Sequence, residues 1–171
     1  MLRLVESRFG ARDRSYTILG IEFGVDVPHL WYPGNCKNIV IQLAANAMND
    51  HYLARFQLAH ECVHLLSPTG GQCATVLEEG LAVVFSEDYV SPNAAGISPV
   101  DDDPKYAASG SLVRQLLSAK PDLIERLRAI EPAFTSMTAH HLKVVMPDVD
   151  DETARRLLSP FDQVEADEIL A

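Results

Sequence analysis

Apolar positions in the first third of the chain cluster in short runs bounded by turn residues, a strand pattern. "SYTILGIEFG" (15–24) is rich in β-branched and aromatic residues and ends on glycine, and "NIVIQL" (38–43) follows the turn signal "YPGNCKN". The pattern then changes. Leu53, Phe56, Ala59, His60, Val63 and Leu66 recur at helical spacing; Asn49 or Asp50 can cap the start, and Pro68 with Gly70 and Gly71 ends it. A second helix is expected over 74–89, "ATVLEEGLAVVFSEDY". Residues 93–110 carry Pro, Gly and Asp and read as a linker or loop. Beyond it, 111–119, 121–131, 137–146 and 150–159 each show helical apolar spacing, punctuated by Pro121, Pro132, Pro147 and Pro160. The expected fold class is α+β. A core over 1–92 is followed by the linker and by a helical C-terminal part, 111–171, packed on that core.

The first helix carries the chemistry. In "FQLAHECVHLL" (56–66), His60 and His64 are four residues apart and flank Glu61. On a helix such a pair shares one face, with Cβ atoms about 5–6 Å apart, so two imidazoles can converge on one Zn²⁺. Glu61 is rotated off that axis, free to accept a proton from a metal-activated water, which is amide-hydrolysis chemistry. The plain alternative is three polar residues on an amphipathic helix. Against it stands the joint context of helix, turn and a second helix bearing acids. A catalytic zinc usually has three protein ligands, and "LEEGLAVVF" offers Glu78 and Glu79. Fourteen residues separate His64 from Glu79, enough for a turn and an antiparallel return.

Composition narrows the setting. The 171-residue chain is 47% hydrophobic and 22% charged, ordinary for a globular domain. A net charge of -10 argues against a nucleic-acid partner, which needs clustered Lys and Arg. No apolar run approaches the roughly 20 residues of a membrane-spanning helix, and the N-terminus lacks a signal-peptide apolar core. Cys36, Cys62 and Cys73 form no spaced framework, so reduced thiols and a cytoplasmic location are expected.

Hydrolysis also needs a donor for the developing oxyanion, commonly His or Tyr. Tyr89, Tyr106, His140 and His141 are available, with Tyr89 carried forward as the candidate. The adjacent His140 and His141 cannot share a helical face. Cys62 faces away from the histidine pair and reads as buried filler. Cys73 precedes the second helix. Trp31 and Tyr32 read as core packing or, alternatively, a wall of the substrate cleft.

"IVIQLAANAMNDHYLARFQLAHECVHLL" (39–66) resembles the ImmA/IrrE-type zinc metallopeptidases, minimal gluzincins in which a strand, a polar segment and "RFxLAHExxHxLL" follow in that order. Arg55, Phe56, Leu58, Ala59, His60, Glu61, His64 and Leu66 carry the likeness, which covers about 39–92. The resemblance implies a zincin-like fold, a small mixed sheet packed on an active-site helix and a second metal-ligand helix. It implies Glu79 as third ligand, with Ala82 as the small residue three later; Glu78 fits less well. It also implies substrate binding along an edge strand at Asn38, Ile39, Val40 and Ile41, by strand addition. In this chain the His64–Glu79 interval is short for that family, and Val83 stands where an Asn or Asp often supports the ligands. The expected function is a zinc-dependent peptidase acting on a protein or peptide. The alternative is a zincin-fold regulatory or protein-interaction module without catalysis, using its acidic helical tail.

Overall fold

The computed structural model describes residues 1–91 and 103–170. Its mixed α+β architecture sets one small sheet against helices. The strands are β1 (Thr17–Val25), β2 (His29–Trp31) and β3 (Asn38–Ala44), in the order β1-β3-β2. β1 runs parallel to β3 and β2 antiparallel. Period-two alternation on β3 turns Ile39, Ile41 and Leu43 into the core.

Eight α-helices lie among the described residues: α1 (Leu2–Phe9), α2 (His51–His64), α3 (Val76–Val90), α4 (Pro104–Ala119), α5 (Leu123–Ile130), α6 (Ala139–Val145), α7 (Asp151–Leu158) and α8 (Ala166–Leu170). α3 is the central one, packed between α2 and α4 and buried along most of its length from Val76 to Ser86. Two glycines set the α3–α4 approach. A Cβ at Gly80 would lie 2.4 Å from the Ser109 carbonyl oxygen, and one at Gly110 would lie 2.7 Å from a Val83 methyl.

Three expectations need correction. "NIVIQL" is the central strand, not an edge: β1 pairs along it from Asn38 and Ile39 onward and β2 covers Val40 and Ile41 on the other side, so the sheet's edges are β1 and the three-residue β2. The first third, which reads as strands, opens instead on a helix, α1, that buries Val5 and Phe9. Finally, 104–110 is the start of α4, not linker, because Asp103 caps it by accepting from the Lys105 and Tyr106 N–H groups and Pro104 suits the first turn. The other linker residues, 93–102, lie outside the described residues, as does residue 92 at the expected core boundary.

The C-terminal helices α5, α6 and α7 belong to the same core, while Ile169 of α8 joins Val76, Ala108 and Phe161 in a second cluster. One hydrophobic cluster runs from Val5 through α2 and α3 to Leu127, Leu142 and Leu157. Arg128, buried on α5, clasps the N-terminal part: its guanidinium donates to the carbonyls of Phe9, Gly10, Ala11 and Leu66. Residues on either side of Pro160 form a short antiparallel bridge just ahead of α3. There the Val76 N–H donates to Ser159 O and the Phe161 N–H to Ala74 O.

Candidate metal centre

α2 is started by Asp50, whose carboxylate accepts from the N–H groups of Tyr52 and Leu53. Its last turn tightens at Leu66 and Ser67, and Gly70 and Gly71 take left-handed φ of 70° and 99° to reverse the chain. Thr75 then caps α3 by accepting from the Glu78 N–H, and the acids Glu78 and Glu79 occupy the first turn, where the helix dipole favours negative charge. The turn therefore brings an acidic helix start against the last turn of a histidine-bearing helix.

The donor atoms of His60, His64 and Glu79 lie within 4.8 Å of one another. Glu79 Oε2 is 3.1 Å from His60 Nε2 and 3.6 Å from His64 Nε2. Tetrahedral coordination at bond lengths of about 2.0–2.1 Å separates donors by about 3.3 Å, and the two distances bracket that value. Two imidazole nitrogens and one carboxylate form a donor set suited to zinc, so the residues fit the ion.

Glu78 has a different place. Successive helix residues point about 100° apart, so the two acids meet opposite sides of one ring. The His64 Nδ1–H donates to Glu78 Oε1 at 2.9 Å while Nε2 faces Glu79. A carboxylate at Nδ1 favours the His64 tautomer that would leave Nε2 to a metal, the outer carboxylate arrangement common behind zinc-bound histidines. Glu78 is thus placed to give His64 the polar support that Val83 cannot. Val83 itself packs on Gly110 in the α3–α4 crossing.

Electrostatics follow from burial and proximity. Burial pushes the Glu61 carboxyl above its ordinary pKa, with the His64 and His60 charges opposing. Burial likewise raises Glu78, opposed by its bond to His64. Glu79 is pushed up by burial too, yet the charges and hydrogen bonds of His64 and His60 outweigh it and hold the carboxyl below the usual range. His64 is the converse: burial disfavours its charge, but Glu79 and Glu78 raise its pKa well above the ordinary value.

A cleft of about 310 Å³ opens over this group, walled by His29 and Leu30 of β2, Tyr32, Thr69, Gln72 and Tyr106. Tyr106 sits on the first turn of α4, edge-on to His60 at 5.9 Å between ring centres and packed on Phe161. Burial raises its phenol pKa, with Glu79 and Asp103 adding to the shift, so it stays protonated and able to donate.

Other candidates fall elsewhere. Tyr89 lies ten residues beyond Glu79 on α3, about 15 Å along the axis at 1.5 Å per residue, stacked on Phe85 and covered by Arg55. His140 and His141 are on α6, where His141 completes a capping box with Thr138. Tyr32 walls the cleft, whereas Trp31 is exposed. Cys62 is buried with its thiol pKa pushed up to about 12, and Cys73 is exposed. Tyr106 was available to sequence reasoning, but its position inside an expected linker hid its helical address.

No family model, curated protein or solved structure matches the chain in comparisons with known proteins. No described helix is long and apolar enough to cross a membrane.

Proposed function

We propose that this protein is a zinc-dependent metallopeptidase of zincin-like design, acting on protein or peptide substrates in a reducing, cytoplasmic setting. The observation that carries the reading is the convergence of His60 Nε2, His64 Nε2 and Glu79 Oε2 beside the buried Glu61. Held by those three side chains, zinc would supply the Lewis acidity that polarises a peptide carbonyl and activates a water for attack. Glu61, its pKa raised by burial, accepts the water's proton and passes it to the leaving amine. Tyr106 donates a hydrogen bond to the oxygen on which negative charge develops. Glu78 keeps His64 oriented. β2, the strand that walls the cleft, offers an extended substrate its free edge.

The alternative, a non-catalytic interaction module using the acidic helical tail as its partner surface, is motivated by the short His64–Glu79 interval and by Val83. Glu78 supplies the support lacking at Val83, and the C-terminal segment is hydrogen-bonded to the start of α3. The deciding experiment combines zinc analysis with peptide cleavage. About one zinc per chain and chelator-sensitive cleavage are expected. Glu61→Gln should abolish turnover with zinc retained; loss of the zinc in that variant would make Glu61 structural and end the reading.

A further inference from the structure

β1 is the long edge of the sheet. β3 pairs along one side of it, and no strand among the described residues pairs with the other. A strand so placed presents a row of N–H and C=O groups to any further strand, and proteins guard such edges with Lys, Pro or shortness. β1 uses none of these. It is nine residues long, and its one charge, Glu22, stands beside Gln42 and accepts from that amide. Register shifts after Ile18 and after Phe23 leave Gly20, Ile21, Glu22 and Phe23 as its regular stretch.

The edge is also apolar. Ile21 pairs beside Ile41, and Phe23 beside Leu43, both of them buried on the helix-covered face. Directly paired side chains share a face, so Ile21 and Phe23 belong to that face as well. They are nonetheless 51% and 39% exposed, and Met48, in the short turn against β1, is 57% exposed. The apolar face therefore continues past its cover.

Charge selects the occupant. Arg12, Arg14 and Lys37 gather at the start of β1, where Arg12 donates to Tyr16 O and Lys37 to Ser15 Oγ; they outnumber Asp13 and Glu6 there. Glu22 and Asp26 mark the other end, and no Lys or Arg occurs between Ser15 and Cys36. A matching strand is antiparallel, apolar in its middle and acidic toward its end. β1 of a second copy meets all three conditions. With Ile21 opposite its twin, Gly20 faces Glu22, so the two Glu22 carboxylates do not oppose each other.

We propose that two copies of this chain join through β1, antiparallel about a twofold axis at Ile21, into one continuous sheet. A twofold contact of this kind uses the same patch on both copies and closes the assembly. β2, at the opposite edge, stays free, so the cleft of each copy remains open. The proposal stands apart from the peptidase reading and survives its failure.

Sedimentation equilibrium of the full chain at rising concentration reads the mass, and twice the 18.8 kDa of one chain is expected. Ile21→Lys sets two ammonium groups face to face on the axis and should return the mass to that of one chain. Trp31→Lys, on the opposite edge, should leave it doubled. The register is read by Ile21→Cys in a chain that also carries Cys36→Ser and Cys73→Ser. Opposed Cβ atoms in such a ladder lie about 4.5–5.5 Å apart, within reach of a disulfide, so mild oxidation should link two copies on a non-reducing gel. Trp31→Cys in the same background should stay unlinked. The cysteine arm also decides the matter if Ile21→Lys misfolds. The mass of one chain at the highest soluble concentration would overturn the proposal. So would a dimer that persists in folded Ile21→Lys, or crosslinking as fast from Trp31→Cys as from Ile21→Cys.

Discussion

Gly80→Ala pits two physical effects against each other, and the contact between α3 and α4 decides the sign. Helix propensity alone makes alanine the better residue inside α3, by about 1 kcal/mol. The added Cβ, however, would sit 2.4 Å from Ser109 O, 2.6 Å from a Val113 methyl and 2.8 Å from the Ser109 carbonyl carbon. Val113 can turn aside. The Ser109 carbonyl is helix backbone and cannot, so relief to a contact of about 3.4 Å needs α4 to shift by about 1 Å. Overpacking of this kind costs about 1–3 kcal/mol, more where backbone must move. We expect a net loss of about 1–2 kcal/mol, a Tm lower by about 2–8 °C for a chain of this size. The same shift moves Tyr106, one turn earlier on α4, away from His60. Misplacement by about 1 Å can cost about 100-fold in rate. Calorimetry with a peptide-cleavage assay reads both effects. The control is Gly110→Ala, whose Cβ meets only the Val83 side chain and should perturb less. An unchanged or higher Tm for Gly80→Ala would refute the argument.

Other expected outcomes follow from the His60, His64 and Glu79 group. Glu78→Gln should weaken zinc binding by about 10–100-fold, read by competition with a chromophoric chelator, because His64 loses its charged partner. Equal affinity would show that Glu78 is a bystander. Tyr106→Phe should lower kcat by about 100–1,000-fold with zinc content and KM little changed; an effect confined to KM would make it a binding residue. The pH dependence in chelator also has a defined sign. The folded pKa of His64 is raised above 6.5, so the stability its proton confers is complete below that value and lost as pH rises through the folded pKa. The raised pKa values of Glu61 and Glu78 act in the same direction above 4.5. Denaturant midpoints of the chelated protein should fall from about pH 5 to pH 8, whereas zinc affinity should rise over that range as His64 yields its proton. A midpoint rising with pH in chelator would contradict the His64 environment.

Local spacing made α2 and its two histidines legible, since i and i+4 on one helix need no tertiary information. The turn at Pro68–Gly71 made an antiparallel α3 legible as well. What distinguished Glu79 from Glu78 was helix phase against a second helix, which residue order alone leaves open; the family likeness pointed to Glu79, and the geometry assigns Glu78 the other face of the same imidazole. β3 was recognised as a strand but not as the central one. Its neighbour β2 spans only His29–Trp31, too short for alternation to register, and it follows Pro28. α4 was started late because Asp103 and Pro104 look like loop residues until they are seen capping a helix. The Gly80 and Gly110 crossing was invisible for a related reason: a glycine within a helical pattern reads as a weakness, and only the facing helix shows what the missing Cβ makes room for.

The hydrogen bonds between Ala74–Val76 and Ser159–Phe161 have a consequence for the order in which the molecule is made. Synthesis delivers both histidines and the acids of α3 long before the segment that pins the first turn of α3. Phe161, which backs Tyr106 at the cleft, belongs to that same late segment. Closing a contact across some eighty residues comes late in folding, after the local helices are in place. The nascent chain therefore carries its motif without a finished centre. Truncation short of residue 161 removes the anchor of the helix that carries Glu78 and Glu79, not a detachable tail.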